Sequence, residues 1–302
     1  MALSGGRASA VETFDFYRFR FAFRALDPVL FPPGQSGNLI RGALASILRE
    51  MAPAELCSLL FGDGTPEPRP FVLRCAHLDG SAPQPGESFF LDVHIFELRR
   101  PLLASFQAVF QRFARDGIGP GRGRVELTGV LQLDPDDVPM KGDAPCSVSL
   151  VPDRSRAPLQ LTLRFVTPTE LKTRGQVTDR PEFAVLFARL FDRIRALSSR
   201  YGSGAPDADR RALLERAASV LLTRCDLTGE YASRKSTRSG QTHPLGGFSG
   251  EAVYEGDLAE FLPWLRAMRW VGVGRQTVWG KGDVRLIETD AGTPLLTRAT
   301  PR

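Results

Sequence analysis

Val271-Gly272-Val273-Gly274-Arg275-Gln276-Thr277-Val278-Trp279-Gly280-Lys281-Gly282-Asp283 holds two Gly-x-Gly pairs. Arg275 follows the first pair, and Lys281 sits inside the second. Glycine admits positive φ and lets other backbone come close. Successive N–H groups in such a loop form a concavity for anions. Gly272, Gly274, Gly280 and Gly282 are therefore candidate backbone contacts for an anionic ligand, with Arg275 and Lys281 supplying charge. A side chain at Gly274 or Gly280 is then expected to cost ligand binding rather than stability. Taken alone, the stretch reads first as a tight helix-to-strand turn; its neighbours decide. Before it, Leu258, Phe261, Leu262, Leu265 and Met268 fall on one face of a helix, which Asp257 is placed to cap. After it, Val284 to Ile287 alternate as a strand.

Working outward, the same order recurs. Leu159, Leu161, Leu163 and Phe165 alternate with polar residues, which predicts a strand. A loop over Thr167–Pro181 carries Lys172, Arg174 and Arg180. A helix over Pro181–Ser199 follows, then an extra helix over Asp207–Leu222. Strands at 223–232 and 247–254 flank a basic connection, Ser233 to His243, with Arg234, Lys235 and Arg238.

The N-terminal half has a parallel plan. Tyr17, Phe19, Phe21 and Phe23 alternate with Arg18, Arg20 and Arg24. Period two predicts a strand with one aromatic, buried face and one arginine face, a ready phosphate track. A helix runs to Met51, capped by Ser36 or Asn38, with Arg41 in its first turn. Strands at Phe71–Cys75 and Ser88–Leu98 enclose a tip that includes His77, and His94 lies inside the second strand. A helix over Leu102–Phe113, a Gly-rich loop at 117–124 and a strand over Val125–Leu133 complete the unit. The result is α+β: two ferredoxin-like βαββαβ units in tandem, at 13–133 and 158–288, joined by an Asp- and Pro-rich connection at 134–157.

With 302 residues the chain has room for both units. The formal net charge of +5 is a mild basic excess, and most of it is arginine, which forks onto phosphate. Cys57, Cys75, Cys146 and Cys225 are far apart, which argues against a zinc site or a disulfide framework and for reduced thiols in the cytoplasm. No run reaches membrane-spanning length, and no metal or other cofactor is expected.

In this topology the ends of the first and second strands and of the second helix meet at one sheet edge. That edge gathers Lys172, Arg174, Arg180, Arg234, Lys235, Arg238, His243, Arg275 and Lys281, with His77 and Arg122–Arg124 at the corresponding edge of the first unit. An elongated anion, meaning nucleic acid, fits such a row.

The chain resembles the CRISPR precursor-RNA-processing endoribonucleases of the RAMP superfamily. The Gly-rich stretch carries the resemblance together with Pro244–Gly250, Tyr254–Leu258 and Arg234–Arg238. Thr167–Lys172 also looks like the family. Ile40–Leu44 looks like its first helix, and Leu56-Cys57 with Leu60–Gly62 like the loop that follows. The resemblance implies binding of CRISPR repeat RNA and metal-independent cleavage. In that reaction a 2′-hydroxyl attacks the adjacent phosphate, leaving 2′,3′-cyclic phosphate and 5′-hydroxyl ends. Histidine suits the proton transfers, so His77 and His243 are the catalytic candidates. Arg41, Lys172, Arg174, Arg234, Lys235, Arg238, Arg275 and Lys281 are the RNA-binding ones. The first helix lacks the histidine that many members carry. A non-catalytic RAMP subunit binding crRNA beside other effector subunits is the alternative.

Overall fold

The computed structural model describes residues 13–62, 67–99, 102–153, 158–173, 175–235 and 242–287, with backbone alone at 230–235 and 242–245. The N-terminal unit runs β1 (Thr13–Ala25), α1 (Ser36–Met51), α2 (Ala54–Phe61), β2 (Phe71–Arg74), β3 (Ser88–Ile95), α3 (Leu103–Asp116) and β4 (Val125–Gln132). Its antiparallel sheet has the order β2-β3-β1-β4. Phe19 lies opposite Val93 and Phe21 opposite Leu91, so the aromatic half of the β1 alternation faces α1 and α3. Phe21, Phe23, Leu91 and Val93 bury there with Ile40, Leu44, Phe106 and Phe110. Phe21 meets Phe110 edge to face at 4.7 Å.

The C-terminal unit repeats the pattern with β6 (Gln160–Thr169), α4 (Phe183–Tyr201), α5 (Arg210–Ala217), β9 (Leu221–Lys235), β10 (Thr242–Glu255), α6 (Leu262–Val271) and β11 (Val284–Ile287). Its order is β11-β6-β10-β9. In each sheet the unit's first strand lies between its third and fourth, which defines two ferredoxin-like domains in tandem. Leu161, Leu163 and Phe165 of β6 pack on Leu186, Leu190 and Ile194 of α4 and on Leu265 and Met268 of α6.

Several expectations need correction. The loop after α1 contains α2. The short strand that the sequence suggests at Ser147–Val151 within the connection is β5 (Cys146–Ser149), which pairs with Thr13–Phe16 and extends the first sheet. Phe14, Phe16 and Phe96 of the first domain belong to the core of the second, which sequence order hides. The loop over 167–181 folds into a small hairpin, β7 (Leu171–Thr173) with β8 (Gln176–Thr178). Of the basic connection over 233–243, residues 233–235 belong to β9 and 242–243 to β10, while 236–241 lie outside the described residues. The extra helix shortens to α5, and Asp257 accepts from the Ala259 N–H in a turn ahead of α6 rather than capping it. Neither Ser36 nor Asn38 caps α1: Asp79, 43 residues on, accepts from the Ser36 N–H at 2.8 Å.

Candidate nucleic-acid interface

The two domains are fastened where α6 ends. The last carbonyls of a helix have no partner within it and carry partial negative charge. Arg74, at the end of β2, donates Nη2 to the Arg269 oxygen at 3.0 Å. His94 of β3 holds Nδ1 2.9 Å from the Trp270 oxygen. Arg193 of α4 donates Nε to the Val271 oxygen at 2.8 Å. Three consecutive carbonyls are thus held by side chains from three other elements, two of them in the first domain. Arg193 is thereby committed to this junction.

The Gly-rich loop starts from that fastened end. Gly272, Gly274, Gly280 and Gly282 all have positive φ, between 68° and 83°. Gln276 joins them at 61°, and Thr277–Trp279 form a short 3-10 turn. Their purpose is close backbone packing. A Cβ on Gly274 would stand 2.5 Å from the Glu170 oxygen, and one on Gly282 would collide with the Val273 oxygen. The N–H groups of Gly272, Val273, Arg275, Trp279, Gly280 and Gly282 donate to carbonyls of the protein. The expected anion concavity is therefore largely closed, and Gly274 cannot take a side chain without cost to the fold. Gly280 is roomier, its nearest neighbour 3.6 Å away.

What the loop offers outward is side chains. Arg275 pairs with buried Glu170 at 2.8 Å, yet its side chain remains 55% exposed. Lys281, Trp279 and Gly280 line a narrow cleft with Ser36 and Gly37 of α1, Ala76 and Asp79. Gly37 is required there, because a Cβ would strike the Trp279 carbonyl. Arg41 stacks its guanidinium 4.7 Å over the Trp279 ring. Arg41 of the first domain thus touches the loop two residues before Lys281, across the domain boundary.

Other expected residues separate. Lys172 lies in β7, where its carbonyl accepts from Arg189 of α4 at 2.7 Å. Arg174 and Arg238 lie outside the described residues. Arg234 and Lys235 end β9, and the strand register sets His243 opposite Arg234. Opposed residues of an antiparallel pair are roughly 5 Å apart at Cα, so these two positions face each other across the two arms of the hairpin. His77 sits in a 3-10 turn after β2, exposed, with Nε2 2.9 Å from the Phe90 oxygen.

The arginine face of β1 is not a free phosphate track. Arg18 is buried against Asp92 at 2.9 Å and also bonds Asp137 and the Asp134 carbonyl. Arg20 pairs with Asp92 at 2.8 Å. Burial alone would raise the Asp92 carboxyl, but Arg20 and Arg18 hold it below the usual carboxylate range. Phe90 was not singled out from sequence, although the Phe89-Phe90 doublet breaks the alternation and signals an aromatic ring on the polar face.

Among the described residues no group of three His, Cys, Asp or Glu could hold a metal ion, and no helix is long and apolar enough to cross a membrane.

Fold and loop arrangement define a protein of two ferredoxin-like domains with a Gly-rich loop leading into the last strand. Residues 163–284 match the family model described as CRISPR-associated endoribonuclease Cas6, and residues 61–146 match one described only as an N-terminal domain. Over residues 163–284 the chain is thus similar to Cas6. Thermus thermophilus Cas6 is 19% identical over 92% of this chain and 100% of its own, with a TM-score of 0.57. A Cas6 product complex reaches 20% identity and 0.59 over 91% of this chain and 100% of that one. A partial Cas6-RT-Cas1–Cas2 complex gives 13% and 0.61, over 93% of this chain and 47% of that one. At these identities the likeness to solved structures carries the fold. No curated protein sequence matches.

Proposed function

We propose that this protein binds CRISPR repeat RNA and cleaves precursor crRNA once within the repeat. The observation that carries the reading is the match of residues 163–284, the span holding β6, the β9–β10 hairpin and the Gly-rich loop, to the Cas6 model. In the proposed reaction the 2′-oxygen attacks the adjacent phosphorus and the bond from phosphorus to the 5′-oxygen breaks. One group takes the 2′-proton and another returns a proton to the leaving oxygen. The nucleophile is internal to the RNA, and in this reading the protein's cations and proton carriers take the roles a metal ion would otherwise fill. Arg275 and Lys281 offset charge on the phosphorane. Arg41, Lys172, Arg174, Arg234, Lys235 and Arg238 hold the backbone, and His77 and His243 are the proton carriers. The protein acts in the cytoplasm, alongside CRISPR effector proteins.

A second reading is a non-catalytic RAMP subunit that keeps crRNA bound. The observation favouring it is that α1 carries no histidine. Incubation with the cognate repeat RNA in EDTA, followed by mapping of both product ends, separates the two. A 2′,3′-cyclic phosphate and a 5′-hydroxyl support cleavage as written. Tight binding without any cut replaces it with the subunit reading.

A further inference from the structure

We propose that the open face of the N-terminal sheet is a stacking site for one unpaired nucleobase, received on a shelf beside Phe90. The proposal rests on the RNA-binding reading above and adds a subsite to it.

Phe89 of β3 is buried on the helix side, so Phe90 projects to the opposite side, where it is half-buried. Two planar groups lie against it. The His77 ring stacks on it with centroids 4.5 Å apart and planes 27° apart. The Phe90 carbonyl can only accept a hydrogen bond, so His77 Nε2 carries the proton it shares at 2.9 Å, and this fixes the imidazole. The Arg20 guanidinium lies 4.1 Å from the Phe90 centroid. Asp92 holds its Nε at 2.8 Å and its Nη2 at 3.0 Å, so that plane is fixed too. The sheet order brings His77 from the β2 side and Arg20 from the β1 side.

Beside this layered group the sheet carries two small residues, with half-exposed Leu131 at their border. Ala22 lies opposite Phe90 on β1, and Gly129 lies opposite Ala22 on β4. A Cβ on Gly129 would meet nothing within 4 Å. Two strand spacings make a floor roughly 10 Å across, wide enough for a purine. Arg24, two residues along the same face, has a half-exposed side chain paired with Glu126. An exposed pair of this kind is weak, and a phosphate can compete for the arginine. Nucleobases stack on aromatic rings and on guanidinium planes alike, with little regard to sequence. Ordered planes, a small-residue floor and a cation at the rim are the parts such a subsite needs.

The test compares two fluorescein-labelled probes by anisotropy on the full chain: a ten-nucleotide single-stranded RNA, and the same strand with its bases removed. Phe90→Ala removes the centre of the stack. Gly129→Leu fills the floor from open space, so it tests the site without opening the core. Both variants should weaken binding of the base-bearing strand about tenfold and leave the abasic strand unchanged. Wild-type affinity of both variants for the base-bearing strand overturns the subsite, and so does equal loss on both strands. Wild-type protein that binds neither probe overturns the RNA-binding reading itself, and the subsite falls with it.

Discussion

His94 in β3 of the first domain places Nδ1 2.9 Å from the carbonyl oxygen of Trp270 at the end of α6 in the second. The oxygen only accepts, so the imidazole donates from Nδ1. The two rings also lie 5.3 Å apart, and Phe16 stacks on Trp270 at 5.0 Å. Burial, helped by the charge of Arg74, pushes the His94 pKa down to about 3. The histidine is therefore neutral in the folded protein through the whole physiological range.

That fixes the sign of one pH dependence. The unfolded chain binds a proton at His94 near pH 6.5, whereas the folded chain resists until near pH 3. Stability from this group is complete above pH 6.5 and declines as pH falls through that window, by at most about 1.4 kcal/mol per pH unit. Denaturant melts between pH 7.5 and 4.5 should show the decline, and His94→Gln should flatten it. An equally steep decline in the variant would assign the acid sensitivity to other groups.

The Gly-rich loop yields a contrast between two of its members. Gly280→Ala imposes a left-handed conformation on a residue with a Cβ, worth about 1–2 kcal/mol. Gly274→Ala imposes the same and also drives the Cβ against the Glu170 carbonyl, 2.5 Å away. Thermal melts should therefore rank Gly274→Ala well below Gly280→Ala, and equal melting points would mean that the backbone yields at Glu170.

Sequence periodicity captured the frame because it is local. Phe19, Phe21 and Phe23 announce the buried face of β1, and the stripes of α3 and α6 announce theirs. What it missed depends on partners far along the chain. Arg18 reads as solvated until Asp92, 74 residues on, is found beside it. Arg193 reads as surface until the Val271 carbonyl is placed. Segment 54–61 carries apolar residues nearly all round and follows a proline, so no amphipathic stripe marks it as α2. In the candidate site, Lys281 and Arg41 were legible as cations. The stacking of Arg41 on Trp279 was not, because it depends on how the domains dock.

The β9–β10 hairpin gives a prediction on binding. Replacing Arg234, Lys235 and Arg238 with Ala should weaken repeat-RNA binding and flatten its salt dependence. On single-stranded RNA, each phosphate that is no longer neutralised by a side chain lowers the log–log slope by roughly 0.7. Titrations at four salt concentrations measure it directly, and an unaltered slope would remove this arm from the interface.

The histidines give the last prediction, and His77 allows a sharper form of it than His243. A positioned proton-transfer group contributes about 10²–10⁴-fold, so the histidine that acts, changed to Ala, should slow single-turnover cleavage by that order while leaving affinity intact. His94→Ala should act through stability instead, since the residue is 3% exposed and its ring is committed to Trp270. For His77 the ring is also a stacking plane on Phe90, so loss of the ring and loss of the proton must be separated. His77→Phe keeps a planar ring and removes the titrating nitrogen. A proton carrier predicts that His77→Phe and His77→Ala are equally slow at equal affinity. A stacking plane predicts that His77→Phe cuts and binds like wild type while His77→Ala binds base-bearing RNA less well. If both variants cut at the wild-type rate, and His243→Ala does too, then imidazole catalysis is wrong for this protein, and Lys281 at the cleft beside Ser36 becomes the group to replace next.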